Sequence, residues 1–292
     1  MMRGMYAAIS GLQAHQTMLD VTANNLSNVD TIGYKSQRTT FVDQLSQQLR
    51  GASGVTANNA GTDPVQVGLG VQLGSIDNLM SQGSAQSTGN PLDISIQGDG
   101  FFRLGAGAPP TVPTTFTYSR AGNFTTNTLG YLTNAQGLYV IGKNAVATGT
   151  APNITYAPGT TDSYINVPPG STDIAVGQDG SVTYVDQNPA DATYQLRVTA
   201  GYISLSTFAN EPGLERLGGS LWGQTSNSGI AQDGLPGVNG LGTTISGELE
   251  MSNVDMAPEF TNMITAERGY QANSRVITTA DQMLQTLVQM GG

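Results

Sequence analysis

Two helix-like segments near opposite ends of this 292-residue chain carry apolar residues at heptad spacing. Steps of four and three positions are typical of helices that pack lengthwise against other helices. We predict a first helix over about residues 3–25 and a second from residue 256 to about residue 289, with Asp255 as its N-cap. The first stripe contains Met5, Ile9, Leu12, Gln16, Leu19, Ala23 and Leu26, and the second contains Met263, Ala266, Tyr270, Asn273, Ile277, Ala280, Leu284 and Leu287.

The first segment also has a second apolar face, about 200° away from the heptad stripe at roughly 100° per residue. Charge is scarce in both segments: residues 1–29 contain only Arg3 and Asp20, and residues 282–292 contain no charge. A hairpin of two helices covers one face of each helix, so we predict that copies of the same chain cover the rest. The pattern therefore indicates a subunit of an open, head-to-tail filament. The second face consists of Ala7, Gly11, Ala14, Met18 and Val21.

Composition narrows the functional classes. The chain has no cysteine, which excludes a disulfide framework, a thiolate nucleophile and a cysteine-ligated metal. A net charge of −10 disfavours binding to a nucleic-acid backbone. No window approaches the ~20 apolar residues of a membrane span, and the amino terminus lacks the features of a cleaved secretory signal. We expect no nucleic-acid partner and no membrane insertion, in a protein that stays in the cytosol or leaves it without a cleaved signal.

The middle of the chain predicts β structure. Short β-prone runs alternate with turn signals from about residue 67 to residue 250, and 38 glycines and 13 prolines suit a turn-rich fold. We predict an α+β protein in which a coiled-coil-like pair of terminal helices (1–28 and 256–292) forms an inner layer. An inserted all-β sandwich or barrel-like domain (68–255) forms the outer layer. Low complexity predicts an irregular excursion over residues 145–168.

Residues 29–67 are predicted to form a connector of extended and loop structure. The segment is polar, and its second half is rich in glycine, asparagine and threonine, which favour turns. We expect this connector to be the compliant part of the molecule. The residues assigned to it are Gly33, Tyr34, Lys35, Phe41, Gly51, Gly54 and Gly68.

No constellation of residues predicts catalysis or metal binding. His15 is the only histidine and has no clustered carboxylate, so we interpret it as a structural or solvent-facing residue rather than a metal ligand. The sole tryptophan, Trp222, is predicted to lie in the β-domain core or in a subunit contact. We expect no cofactor and no enzymatic activity. The aspartates that might be paired as acid and base lie in turn-like sequence: Asp93, Asp99, Asp179 and Asp186.

Specific short motifs lie at both ends and in the middle of the chain. Residues 10–35 carry an Asn-Asn-Leu-x-Asn core, which is formed by Asn24, Asn25, Leu26 and Asn28. Together these motifs resemble those of bacterial flagellar axial proteins of the rod and hook family. The other matching segments are residues 63–71, 89–93, 98–102, 118–124, 252–255 and 266–275.

The resemblance implies export of the unfolded chain through the flagellar type III apparatus and assembly beneath a cap into a hollow helical tube. The implied partners are copies of the same chain, rod and hook-filament junction proteins, the hook cap and the export apparatus. The implied location is the extracellular flagellum, in the hook or basal body, reached without a cleaved signal peptide. Residues expected to serve polymerisation are Met5, Ile9, Leu12, Leu19, Asn24, Asn25, Leu26, Asn28, Met263, Tyr270, Ile277, Leu284 and Leu287.

Three functions stay open at this point. Residues 35–47 and 63–71 look most like those of a short flagellar hook protein, which would form a curved universal joint that transmits torque from rod to filament. A distal rod protein of the basal body has the same three-part plan and would form a straight, stiff cylinder. A third function, from another class, is a secreted β-rich adhesive or binding module whose helices dimerise.

Overall fold

The computed structural model describes residues 2–54 (side chains from residue 4), 60–107, 109, 111–148, 154–189 and 193–291. Contacts within this part divide the chain into two compact units. The helical unit contains Met1–Ser27, Ser36–Leu79 and Val254–Gly292, and the β unit contains Asn28–Lys35 and Met80–Asn253. This combination confirms the predicted α+β class.

Two long helices dominate the helical unit. Helix α1 runs over Met2–Ser27 and helix α2 over Met256–Met290, close to the predicted bounds. Asp255 caps α2, as predicted, because its carboxylate accepts a hydrogen bond from the Ala257 amide at 3.0 Å. The two helices pack against each other along their lengths. The outermost predicted positions, Met1 and Gly292, lie outside the described residues.

Two antiparallel strand pairs complete the helical unit. The four strands are β1 (Gln37–Asp43), β2 (Ser46–Arg50), β3 (Val65–Gly68) and β4 (Val71–Asn78). Strand β1 pairs with β4, and β2 pairs with β3. Helix α1 contacts both β1 and β4, and the Val71 amide donates a hydrogen bond to the Ser10 hydroxyl at 3.3 Å. The helix is therefore covered on one side by α2 and on another by strands.

The β unit is built around one large sheet. Among the described residues this sheet has 13 strands, with the central order β13-β14-β15-β11-β7-β8-β18-β17. Two further pairs, β5 with β21 and β6 with β20, join the first strands of the unit to its last. The strands are β5 Ala85–Ser87, β6 Ile94–Gln97, β7 Phe101–Gly105, β8 Phe116–Ser119, β9 Thr125–Thr126, β10 Leu132–Thr133, β11 Tyr139–Thr148, β12 Thr155–Tyr164, β13 Thr172–Val176, β14 Ser181–Val185, β15 Arg197–Ile203, β16 Leu205–Thr207, β17 Glu215–Gly218, β18 Leu221–Gly223, β19 Gln232–Gly234, β20 Thr243–Ser246 and β21 Glu248–Glu250, with a 3₁₀ turn at Glu211–Gly213.

Two hydrophobic clusters stabilise the β unit. The larger one contains Ile94, Phe102, Ile165 and Ile203, among other fully buried residues. The smaller one is aromatic and includes Trp222, which confirms the prediction that this residue lies in the β-domain core. Apolar burial of this extent is the main favourable contribution to folding of such a unit.

The unit boundaries differ from the predicted domain boundaries. Residues 36–79 group with the helices because β1 pairs with β4, a strand that lies beyond the predicted connector. Residues 28–35 group with the β unit because Gly33, Tyr34 and Lys35 are buried there. The predicted connector is therefore divided between the two units, and residues 55–59 of it lie outside the described part.

The irregular excursion predicted over residues 145–168 is wrong. Strands β11 and β12 pair antiparallel across this stretch, from the pair Ile141 and Tyr164 to the pair Thr148 and Thr155. Threonine and tyrosine, which favour strands, make up five of the ten residues of β12 even though the composition is simple. Residues 149–153 lie outside the described part.

Candidate functional site

The two long helices each bury small residues. Ala8, Gly11 and Ala14 are buried on α1, and Ala266 and Ala280 are buried on α2. Small side chains allow two helix axes to approach closely. Gly11 and Ala14, two residues of the predicted second face of α1, are thus buried within the chain.

Two glycines accept larger side chains from the opposite helix. A β-carbon added at Gly11 would lie 2.7 Å from Asn273 Nδ2, and one added at Gly269 would lie 2.5 Å from the His15 ring. The pairings 11 with 273 and 15 with 269 show that the helices run antiparallel. They also place His15 in a structural role, with its Nδ1 buried and without a hydrogen-bond partner in the described structure.

The heptad stripe of α1 is only partly covered. In the described structure none of its seven residues is buried: Ile9, Gln16 and Ala23 are exposed, and Met5, Leu12, Leu19 and Leu26 are half-buried. Ile9 retains 39% of its accessible surface. An apolar stripe of this length is typical of helices that associate with other helices, and its role in polymerisation stays a prediction.

Helix α2 has a covered stripe and an uncovered one. Of the residues predicted for polymerisation, Met263, Ile277 and Leu284 are half-buried, whereas Tyr270 and Leu287 are exposed. Residues 281–290 are exposed apart from the half-buried Leu284. Other large apolar side chains that α2 exposes are Met256, Phe260, Ile264, Val276, Met283, Val288 and Met290.

An apolar groove opens between the two helices near the start of α1. It has a volume of about 420 Å³ and is lined by Met5, Val276, Ala280 and Met283, together with Gly4, Arg275 and Thr279. The groove adjoins the exposed last turns of α2. The helix pair thus exposes several large apolar side chains at this end, among them Met283, Leu287 and Val288.

The asparagine motif lies at the other end of the helix pair. Asn25 is buried, and its amide bonds both backbone groups of Gln37: Nδ2 donates to the carbonyl at 2.7 Å and Oδ1 accepts from the amide at 2.9 Å. Nδ2 also donates to Glu259 Oε1 at 3.1 Å. Burial raises the pKa of Glu259 above its ordinary value, and the hydrogen bond from Asn25 partly opposes this. Asn25 therefore ties α1, β1 and α2 together.

The remaining motif residues have different surroundings. Asn24 is exposed, and Leu26 is half-buried. Asn28 already belongs to the β unit, where its side chain accepts a hydrogen bond from the Thr31 hydroxyl at 3.0 Å. The role of these three residues in polymerisation stays a prediction.

The residues predicted to form the compliant connector fall into two groups. Gly51, Gly54 and Gly68 are exposed, and Phe41 is half-buried in β1. Gly33, Tyr34 and Lys35 are instead buried within the β unit.

A buried charge cluster surrounds Lys35. Its ammonium lies 2.7 Å from Glu250 Oε1, and Arg120 Nη1 lies 3.2 Å from Glu250 Oε2; side-chain exposure is 1–2% for all three residues. Burial and the Arg120 charge lower the pKa of Lys35 below its ordinary value, and Glu250 opposes this shift. Removing one partner of such a cluster leaves an uncompensated buried charge, which is strongly destabilising.

Sequence reasoning missed Glu250, Arg120 and Glu259. A usable signal was their rarity, because only 32 of 292 residues are charged. Long-range pairing of Lys35 with Glu250, 215 positions apart, is not encoded in any local pattern.

The described residues show no grouping of three or more side chains suited to a metal ion. Within the same described part, neither helix combines the length and hydropathy needed to cross a membrane.

Three family models match parts of the chain. Residues 5–35 match "Flagella basal body rod protein", residues 95–184 match "Flagellar hook protein FlgE/F/G D1 domain", and residues 245–290 match "Flagellar basal body rod FlgEFG protein C-terminal". The first and third matches cover most of α1 and α2, and the second covers strands of the β unit.

Individual relatives match along almost the whole chain. The flagellar basal-body rod protein FlgG of Bacillus subtilis is 41% identical, with 99% of each chain covered. FlgG of Borreliella burgdorferi is 35% identical, with 97% of each chain covered. The flagellar hook protein FlgE of the same organism is 30% identical, with 99% of this chain and 100% of the hook protein covered, in an alignment of 446 positions.

Proposed function

Because the chain belongs to the family of flagellar rod and hook proteins, we propose that it is a structural subunit of the distal rod of the flagellar basal body. The observation that carries self-assembly is the heptad stripe of α1, none of whose seven residues is buried in the described structure. Helices of further copies would bury it together with the exposed face of α2. The role is mechanical rather than enzymatic.

Two comparisons support a rod subunit over a hook subunit. Within Borreliella burgdorferi, the rod protein is 35% identical to this chain and the hook protein 30%. The hook alignment is also about 150 positions longer than this chain, whereas the rod proteins align over nearly equal lengths. The motifs that favoured a hook therefore carry less weight than the full-length similarity.

The proposed mechanism assigns different tasks to the two units. Apolar helices that interlock with those of neighbouring copies resist twisting, so the helical units form the inner, torque-bearing layer of a hollow tube. The β units form the outer layer. Gly51, Gly54 and Gly68 are exposed and remain the positions at which we expect compliance.

We extend the proposal to partners and location. The subunit is exported unfolded through the flagellar type III apparatus and joins its own copies, with rod and hook-junction proteins at the ends of the tube. Assembly proceeds beneath a cap protein, outside the cytoplasmic membrane.

Electron microscopy of seeded, purified full-length protein tests the proposal. We expect straight, stiff cylinders; curved or supercoiled tubes would support the hook instead. A small oligomer of constant size at all concentrations, measured by sedimentation, would support the adhesive or binding module and contradict both flagellar functions.

Chains lacking residues 1–25 or 260–292 should remain as monomers with a folded β unit.

A point variant makes the test sharper. Ile9→Glu places a charge on the α1 stripe without altering the buried face, so we expect it to abolish tube growth. Ile230→Glu is the matched control, because Ile230 is 82% exposed and lies in the β unit. Tubes that form equally well from Ile9→Glu would contradict the assigned surface.

A further inference from the structure

Two short segments of the β unit lie side by side, one where the chain first enters the unit after α1 and one where it finally leaves the unit before α2. The unit contains residues 28–35 and 80–253, so residues 28 and 253 are its connections to α1 and α2. The Gly33 amide donates a hydrogen bond to the Glu250 carbonyl at 2.8 Å, and the Asn253 amide donates to the Tyr34 carbonyl at 3.4 Å. Gly33 thus bonds Glu250, and the following residue, Tyr34, bonds Asn253 further along the other segment. The two segments therefore run in the same direction.

Side chains reinforce this pair of segments. Glu250 Oε1 accepts hydrogen bonds from Lys35 Nζ at 2.7 Å and from the Gly83 amide at 3.0 Å. Charge-assisted hydrogen bonds of this kind are about twice as strong as neutral ones. The ammonium of Lys35 also donates to the Ser81 carbonyl at 2.8 Å, and Asn253 Nδ2 donates to the same oxygen at 3.0 Å. A single network therefore joins residues 33–35, 81–83 and 250–253.

The first segment is also fixed from its other side. Arg216 donates a hydrogen bond to the Lys35 carbonyl, and its guanidinium lies 4.7 Å from the centre of the Tyr34 ring. The Ser220 hydroxyl donates to the Ile32 carbonyl at 3.2 Å. Gly33 has a φ of +65°, and a β-carbon there would lie 2.6 Å from the Ala121 backbone nitrogen, so this backbone can approach so closely only with glycine.

Direction decides how these bonds respond to force. When α1 and α2 are pulled apart, residue 28 is pulled toward the amino terminus of the chain. Residue 253 is pulled toward the carboxyl terminus, in the opposite direction. In segments that run in the same direction, such tension slides one along the other and loads all the bonds at once. If the segments ran in opposite directions, the same bonds would open one after another.

We propose that residues 33–35 and 250–253, held by the Glu250 carboxylate, form a mechanical clamp that keeps the β unit folded when load arrives through the terminal helices. The clamp deepens the proposed function. A role of the clamp in a torque-bearing tube rests on that proposed function. The clamp itself is a property of one chain and can be measured without assembly.

Force spectroscopy on single full-length chains tests the clamp in two pulling geometries. In the first, handles at the two chain ends load the unit between residues 28 and 253. In the second, handles on cysteines introduced at Leu129 and Ile230, both exposed, load the sheet by another route. The chain has no cysteine of its own, so labelling is specific.

The variants are Glu250→Gln, which removes the charge, and Asn253→Ala, which removes a partly exposed amide and should leave the fold intact. Val182→Ala, in the core and outside the clamp, is the control for a general loss of stability. For each variant we compare the loss of unfolding force with the loss of free energy of unfolding measured by chemical denaturation. With end handles we expect this ratio to be larger for both clamp variants than for Val182→Ala. With internal handles the clamp variants should lower the force only in proportion to their losses in chemical denaturation.

The clamp would be overturned if the unfolding force of every variant fell only in proportion to its free energy of unfolding in chemical denaturation. An equal loss of unfolding force in the two pulling geometries would also overturn it. If Glu250→Gln does not fold, Asn253→Ala and the comparison of geometries still decide. Either result leaves the rod proposal to be judged by tube formation, so failure of one does not imply failure of the other.

Discussion

At Gly269, the imidazole of His15 occupies the space that a β-carbon would need. The reciprocal arrangement, Asn273 against Gly11, lies one helical turn away on each helix. Two such pairings fix the register of an antiparallel helix pair, because a shift by one turn would bring each large side chain against another residue. A register fixed by single residues also fixes which apolar residues of both helices stand beside each other on the outer surface.

Gly269→Ala is expected to destabilise the helix pair. Overpacking against a rigid ring costs about 1–3 kcal/mol, which exceeds or cancels the gain of about 1 kcal/mol in helix propensity. Thermal unfolding followed by circular dichroism measures the change. The control is Gly4→Ala, where nothing lies within 4 Å and only the propensity gain applies. Combining His15→Ala with Gly269→Ala should restore the thermal stability lost in Gly269→Ala. If it does not, the contact between His15 and Gly269 does not cause the loss.

Glu259 is expected to make the helix pair less stable as pH rises. Its folded-state pKa is raised, so its contribution is fully present below the ordinary pKa of about 4.3 and is lost as pH rises through the raised value. Glu259→Gln keeps an oxygen that accepts from Asn25 but cannot ionise. The stability difference between the two proteins, measured from about pH 4 to pH 7, should therefore change with pH in favour of the variant. A constant difference would contradict the assigned burial.

At the scale of elements, the heptad pattern predicted both helices, their bounds and the cap at Asp255, because periodicity and capping are local properties. It did not reveal which face of α1 meets α2. Gly11 faces Asn273 of α2, and His15 of α1 faces Gly269, whereas Ile9 of the heptad stripe remains exposed. The strands of residues 36–79 were also beyond local reasoning, because β1 finds its partner β4 about 30 positions further along the chain.

Asp255→Ala should weaken the start of α2. The cap satisfies one of the free amides of the first turn, and its loss typically costs about 1 kcal/mol. Amide hydrogen exchange should then be faster in the first turn of α2 and unchanged near Ala280. Asp281→Ala, in the same helix but away from its start, is the control; equal effects of both variants would show that the cap is not the cause.

At the scale of the whole molecule, the chain combines a β unit that completes its own core with a helical unit that leaves apolar surface exposed. The aromatic and aliphatic clusters of the β unit are closed within it. Ile9 and Leu287 remain exposed on the helices, in segments nearly free of charge. We therefore expect the helices of several copies to pack together, as they would in a tube of subunits.

Accessibility of the α1 stripe before and after assembly tests this account most directly. In a chain with the single substitution Ile9→Cys, the thiol should react rapidly with a maleimide in the monomer and become protected when tubes form. Ile230→Cys, measured in parallel, reports whether the reagent still reaches protein within the tubes. A thiol at position 9 that is protected in the monomer, or that stays equally reactive in the tubes, would contradict the claim that copies of the chain bury this stripe.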